Sequence, residues 1–254
     1  MQWNAATEHE IIQHCQRSNP CRDVISEYEG GLSVIRILDA VVKCGLGVSQ
    51  FEAVNQQLAH QMLDPAIIRV PRVYRFFTDG PNGYLLMEYI KSRPLSSVDS
   101  NAYLEPMAEV LKLFEDVQRV TPGPLHNSFA FGHLWLDYDT IAPVAISDIE
   151  EYYNKRQLKN STHISLADYP LVFCHLDIAP RNILVLENGS LCLLDWNSAG
   201  FYPRLFERTT LKINGRMGND WNNKLLDLLD QLNENEKRQA ELLELAYNLG
   251  QKYI

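Results

Sequence analysis

Two short runs hold the side chains of this chain best suited to chemistry: Cys174-His175-Leu176-Asp177-Ile178-Ala179-Pro180-Arg181-Asn182 and Leu193-Leu194-Asp195-Trp196-Asn197. Asp177 offers a carboxylate that can orient an attacking hydroxyl and take its proton. Asn182 and Asp195 offer an amide oxygen and a second carboxylate, hard donors of the kind that hold magnesium ions bridging phosphates. Together they suit phosphoryl transfer. A His-x-Asp-x4-Asn match is common by chance, so its weight comes from context. Asp177 follows the apolar run Leu171-Val172-Phe173, Asp195 follows the apolar residues 191–194, and the two carboxylates are 18 residues apart in the chain. Loop, hairpin and loop can converge across that spacing.

The elements that must position these residues are readable in outline. Helical spacing runs over residues 7–17 and stops at Pro20. Residues 32–38 and 40–43 are β-branched and apolar, broken by Asp39, and predict a hairpin whose second strand ends at Lys43. Gly45 and Gly47 then interrupt the chain, and Ser49 opens a helix that runs to Asp64-Pro65. Residues 70–77 and 84–90 predict two more strands around Asp79-Gly80-Pro81-Asn82-Gly83. From Arg93-Pro94 onward helices dominate, over residues 103–120, 147–158 and 220–253, with one tight hairpin of 183–186 and 191–194.

With 254 residues and 46% apolar content, the chain can bury a substantial core. Its net charge of −9 argues against a nucleic-acid partner, which needs clustered Lys and Arg. No apolar run is long enough to span a bilayer and the N-terminus lacks a secretion signal, so a cytoplasmic protein with no membrane partner is expected. Cys15, Cys21, Cys44, Cys174 and Cys192 are scattered without a paired spacing, which predicts reduced, mostly buried thiols and no structural zinc.

Across residues 34–206 these features resemble the aminoglycoside phosphotransferase and choline kinase branch of the protein-kinase-like fold, and look closest to fungal phosphotransferase-domain proteins. The resemblance implies an α+β, bilobal molecule: residues 1–90 as a nucleotide-binding lobe with a small antiparallel sheet, and residues 91–254 as a mainly helical catalytic and acceptor-binding lobe. It implies Asp177 as the catalytic carboxylate and Asn182 and Asp195 as Mg2+ ligands. Lys43 would contact the α and β phosphates of ATP or GTP. Glu52 has two uses open to it, an ion pair with Lys43 and a capping box with Ser49; the short link through Gly45-Leu46-Gly47 favours the pair. Only Gly30 and Gly31 stand where the family's relatives place a glycine-rich phosphate cover, and their backbone amides would cradle phosphate. Glu88 and Tyr89 fall at the hinge, where backbone groups would hold adenine. His175 and Trp196 are expected to hold and pack the loop, and Arg181 to pair with a local carboxylate.

Only 59 residues follow Asp195, too few for an activation segment and a peptide-docking lobe, and Leu176 replaces the arginine that reads a phosphorylated loop in regulated protein kinases. A small-molecule hydroxyl is therefore the expected acceptor, with oligomeric state open. A catalytically silent nucleotide binder is the alternative, supported by the reduced glycine loop. For the acceptor surface, Glu207, Asp220, Asp227 and Asp230 could form an acidic patch or be helix-surface charges. Trp135, Tyr202, Phe206 and Trp221 could line a pocket or fill the core.

Overall fold

A capped helix opens the described chain: the Thr7 hydroxyl accepts the Glu10 N–H at 3.3 Å while the Glu10 carboxylate accepts the Thr7 N–H at 2.8 Å, starting α1 (Glu8–Cys15). The computed structural model describes residues 2–28, 31–95, 98–135, 140–155, 163–216 and 220–251. The chain divides into two units, Met1–Arg93 with Val185–Leu194 and Pro94–Leu184 with Asp195–Ile254.

In the first unit, β1 (Asp23–Glu27), β2 (Ser33–Ile37) and β3 (Ala40–Leu46) precede α2 (Gln50–Met62), and β4 (Val73–Asp79) and β5 (Asn82–Glu88) follow it. The strands form one antiparallel sheet in the order β1-β2-β3-β5-β4. Alternation along β3 decides what each face meets. Ala40, Val42 and Cys44 join Ile35, Ile37 and Leu86 in a cluster that Ile11 and Cys15 of α1 complete. Val41 points the other way, into a cluster with Val48, Leu85 and Ala53 of α2. Lys43 has the parity of Val41 and therefore rises on the α2 side. Each fully buried aliphatic residue here is worth roughly 1.5–3 kcal/mol relative to exposure.

Gly45 and Gly83 are cross-strand partners. A Cβ on Gly45 (φ +135°) would lie 2.5 Å from Gly31 O, and one on Gly83 would lie 1.9 Å from Val48 O, so bare backbone is required where two connections cross this end of the sheet. The first continuous stretch of the unit ends at Arg93, within β6 (Ser92–Pro94).

The second unit begins with α3 (Leu104–Asp116), which ends short of the helix expected to residue 120. Gln118 and Arg119 instead form β7 (Gln118–Arg119), paired with Val172 and Leu171. Next come β8 (Gly123–Pro124) and α4 (Ile146–Asn154). Asp148 caps α4 by accepting the Val144 and Ala145 N–H groups at 2.9 Å each. The expected helix of 147–158 stops within this range, its residues 156–158 lying outside the described chain.

Then follow β9 (Leu171–Cys174), β10 (Ile183–Leu186), β11 (Leu191–Leu193) and β12 (Gly200–Pro203). β9 lies between β7 and β12 in a four-stranded sheet that ends with β8, which is why all four of its residues are buried. The hairpin β10–β11 turns at Gly189 (φ +83°). Its residues from Val185 onward belong to the first unit, where Leu191 O accepts the Arg69 N–H and Arg69 O accepts the Leu193 N–H, each at 2.9 Å. Three helices finish the described fold: α5 (Leu205–Arg216), α6 (Asp220–Leu228) and α7 (Glu234–Gln251).

α5 is buried along most of its length. Its Phe206 joins Trp135, Tyr153 and Tyr202 in a ring-on-ring core, so Trp135, Tyr202 and Phe206 fill the interior, as does Trp221, whose indole N–H donates to Ser100 O at 2.9 Å. Arg204 pairs with Glu236 at 2.7 Å, and Arg208 pairs with Glu115, tying α3, α5 and α7 together. The cysteines are free; four are buried and Cys21 is exposed.

Candidate active site

The end of β9 delivers His175 into a fully buried position, and the next residue, Leu176, turns the backbone left-handed at φ +63°. A leucine pays for that conformation sterically, so something must hold it. Glu207 does: one carboxylate oxygen accepts the His175 N–H at 2.6 Å and the Leu176 N–H at 3.0 Å. Burial drives the Glu207 carboxyl up to about 7, against the lowering effect of those two backbone donors. The expectation of a surface charge at Glu207 is thus corrected. Residue 207 is 4% exposed because α5 carries it inward beneath the loop.

His175 supports the same loop. Its Nδ1 accepts the Asp177 N–H at 3.2 Å and its ring meets Trp196 edge-on, with centroids 4.7 Å apart. Trp196 is fully buried against Phe173 as well, a packing role.

Asp177 emerges with four side chains directed at its carboxylate. Asn182, in the turn Pro180–Asn182, donates its amide to Oδ2 at 2.8 Å and to the Asp177 carbonyl at 2.9 Å. Asn214 donates to Oδ1 at 3.4 Å, Arg181 pairs with Oδ1, and His133 Nε2 lies 3.4 Å from the same oxygen. Burial alone would raise the Asp177 carboxyl, but the His133 hydrogen bond and the neighbouring Arg181 charge outweigh it and hold it at about 2. The carboxylate is therefore ionised at neutral pH and able to accept a hydroxyl hydrogen bond.

Asp177 and Asn182 are thus brought together by direct hydrogen bonds. With the Asn182 nitrogen used on Asp177, its oxygen is the atom suited to a hard cation. Asp195 follows β11 at φ +64° and starts the turn Trp196–Ser198. An amide oxygen and a carboxylate are donors of the right hardness for Mg2+, so the residue types fit that ion. Among the described residues, no group of three or more His, Cys, Asp or Glu could hold a metal, so such an ion would lean on these few donors and on bound phosphate.

In the first unit, Lys43 Nζ meets Glu52 Oε1 at 2.6 Å. Ser49 caps α2 by accepting the Glu52 N–H at 3.1 Å, so Glu52 gives its backbone to the cap and its carboxylate to the lysine. Glu88 pairs with Arg69 at 2.5 Å and its N–H donates to Arg72 O at 2.9 Å. The Tyr89 N–H donates to Asp39 O at 3.0 Å while the ring lies under the Arg36 guanidinium at 4.0 Å. The N–H groups of both residues are therefore engaged within the unit. Gly31 has φ +91°, the left-handed conformation that favours glycine; Gly30 lies outside the described residues.

Sequence reasoning missed His133, Asn214 and the inward role of Glu207. His133 sits in Phe131-Gly132-His133-Leu134-Trp135, which carries no periodic signal, and Glu207 and Asn214 lie on the unforeseen α5.

The model of the phosphotransferase enzyme family matches residues 47–243. No curated protein matches the chain. Among solved structures, the chain is similar to the apo form of a thermostable mutant of aminoglycoside phosphotransferase APH(4)-Ia, with 14% identity, 91% of this chain and 86% of that one covered, and a TM-score of 0.57. It is similar at 14% identity to a putative fructosamine-3-kinase from Haemophilus somnus 129PT, covering 91% and 83%, with a TM-score of 0.56. A choline/ethanolamine kinase family protein from Mesorhizobium loti aligns at 16% identity over 91% and 76%, with a TM-score of 0.53. At these identities the likeness establishes the fold, α+β and protein-kinase-like.

Proposed function

We propose that this chain, which belongs to the phosphotransferase enzyme family, moves the γ-phosphate of ATP to a hydroxyl of a small molecule. The observation that carries the reading is the ionised Asp177 carboxylate, fixed by Asn182 and by a loop that Glu207 and His175 hold. A related thermostable mutant of APH(4)-Ia was crystallised with AMP-PNP and hygromycin B, which supports a nucleotide and a small acceptor here.

Asp177 accepts the hydrogen bond of the acceptor hydroxyl and aims its oxygen at the γ-phosphorus. As the new O–P bond forms and the bond to the bridging β–γ oxygen breaks, the hydroxyl proton passes to Asp177 and ADP leaves with the electron pair. A carboxyl titrating near 2 is a weak base, so that proton moves late, after most of the bond exchange. Mg2+, when bound, neutralises the charge that develops on the phosphate oxygens, and Asn182 and Asp195 are the residues that would hold it. Lys43, kept in place by Glu52, binds the α and β phosphates. Adenine at the hinge would be read through carbonyl oxygens, since the Glu88 and Tyr89 N–H groups are engaged.

The test is a metabolite screen for consumption of ATP with Asp177→Ala as control. Transfer should fall by about 10²–10⁴-fold in the variant, while AMP-PNP binding by calorimetry persists. Equal transfer by both proteins would remove Asp177 from the chemistry.

A further inference from the structure

The side chains that reach the Asp177 carboxylate are a guanidinium, an imidazole and two amides: Arg181, His133, Asn182 and Asn214. Arg181 and His133 are only partly covered, at 52% and 34% side-chain exposure. An acceptor placing its hydroxyl on Asp177 therefore meets a half-exposed guanidinium and an imidazole beside it.

The imidazole is held there by construction. Gly132 (φ +108°) has no side chain, and a Cβ there would lie 2.4 Å from Ser198 Oγ, so the backbone before His133 packs directly on the turn after Asp195. The Trp135 N–H donates to Gly132 O at 2.9 Å, closing the turn, and the Tyr153 hydroxyl donates to Leu134 O at 2.9 Å. Trp135 is sunk in the aromatic core. A turn locked on both sides presents His133 to Asp177 with little freedom to leave.

Of the four carboxylates that could form an acidic acceptor surface, two are engaged within the fold. Glu207 is buried on the loop backbone, Asp220 pairs with Lys224 at 2.7 Å, and Asp227 and Asp230 are exposed. The net charge of −9 is spread over the chain, and at physiological salt charges beyond about 8 Å are largely screened. Contacts next to Asp177 decide. A guanidinium presents a planar fork of N–H donors that matches carboxylate and phosphate oxygens.

We infer that Arg181 and His133 determine acceptor specificity, and that the acceptor is a small hydroxyl compound carrying an oxyanion, a carboxylate or a phosphate, close to the hydroxyl that is phosphorylated. This rests on the phosphotransferase reading above. The oxyanion takes the outward N–H groups of Arg181 and the His133 imidazole, while the hydroxyl takes Asp177. A quaternary ammonium or polyamine placed there would face the guanidinium and be disfavoured.

The experiment measures transfer from labelled ATP to matched acceptors: gluconate against glucose, glycerol phosphate against glycerol, and choline and hygromycin B as cations. The carboxylate and phosphate arms separate the two sources of oxyanion. Expected is preferential phosphorylation of an oxyanion-bearing member. Arg181→Gln should then raise KM for that compound about tenfold, a loss of about 1.4 kcal/mol of binding, with a smaller effect on its neutral analogue. His133→Gln should act in the same direction, and thermal unfolding of both variants checks that the fold is intact. Preferential phosphorylation of choline or hygromycin B, or an equal KM change for charged and neutral analogues, overturns the inference and leaves the phosphotransferase reading standing. Absence of transfer to every compound overturns both.

Discussion

Glu207 invites a test in which the wild type is the less stable protein at alkaline pH. Its carboxyl is buried and titrates at about 7 in the folded chain against an ordinary 4.5. A raised acid contributes stability fully below its unfolded value, and loses it as pH rises through the folded one. At about 1.4 kcal/mol per pH unit, the span from 4.5 to about 7 amounts to about 3 kcal/mol lost by pH 8. Glu207→Gln keeps an acceptor oxygen for the His175 and Leu176 N–H groups and removes the ionisation. Glu207→Ala leaves both donors unpaired in the interior, at about 1–3 kcal/mol each. Urea unfolding at pH 5 and pH 8 should therefore show the Gln variant gaining on wild type by about 2–3 kcal/mol between the two values, because a part of the loss is already present at pH 5, with the Ala variant below wild type at pH 5. Parallel curves for wild type and Gln would refute the reasoning, because Glu207 would then ionise without cost.

Other outcomes follow from the first unit. Lys43 and Glu52 form a largely buried pair at 2.6 Å, so Lys43→Met removes the cation from beside a buried carboxylate and should cost about 3–5 kcal/mol, while the double change Lys43→Met/Glu52→Leu should recover much of it. A double-mutant cycle by chemical denaturation measures this, and a coupling near zero would count against the pair. Gly83→Ala places a methyl 1.9 Å from Val48 O and should destabilise by about 2 kcal/mol or more, read as a fall in Tm; an unchanged Tm would mean that the crossing relaxes freely.

Much of the first unit was legible because its residues follow simple periods. The Ser49 cap and the turn around Gly80 are local signals, and each sits at or near the boundary expected of it, whereas β3 runs past the end expected at Lys43 to Leu46 because Gly45 still pairs with Gly83 across the sheet. β1 was missed because it is an edge strand with little burial and no alternation to read. Residues 117–119 were read as helix because local propensity cannot see a partner 54 residues away, Gln118 with Val172. α5 escaped for the opposite reason. Its buried face carries Glu207, Arg208, Thr209, Thr210 and Asn214, whose partners are distant side chains and backbone groups, so the usual apolar stripe is absent. The same blindness hid half of the candidate site. Asp177, Asn182 and Asp195 announce themselves by spacing, whereas His133 and Asn214 reach Asp177 only through the fold.

The strand residues from Val185 to Leu194 complete a unit whose other members end at Arg93. Arg69 waits for Leu191 and Leu193 to satisfy its N–H and carbonyl. Neither unit is therefore an excisable stretch of gene. A fragment stopped after Arg93 would expose an unmet backbone edge, and on the ribosome the first-born unit stays unfinished until a further hundred or so residues have emerged.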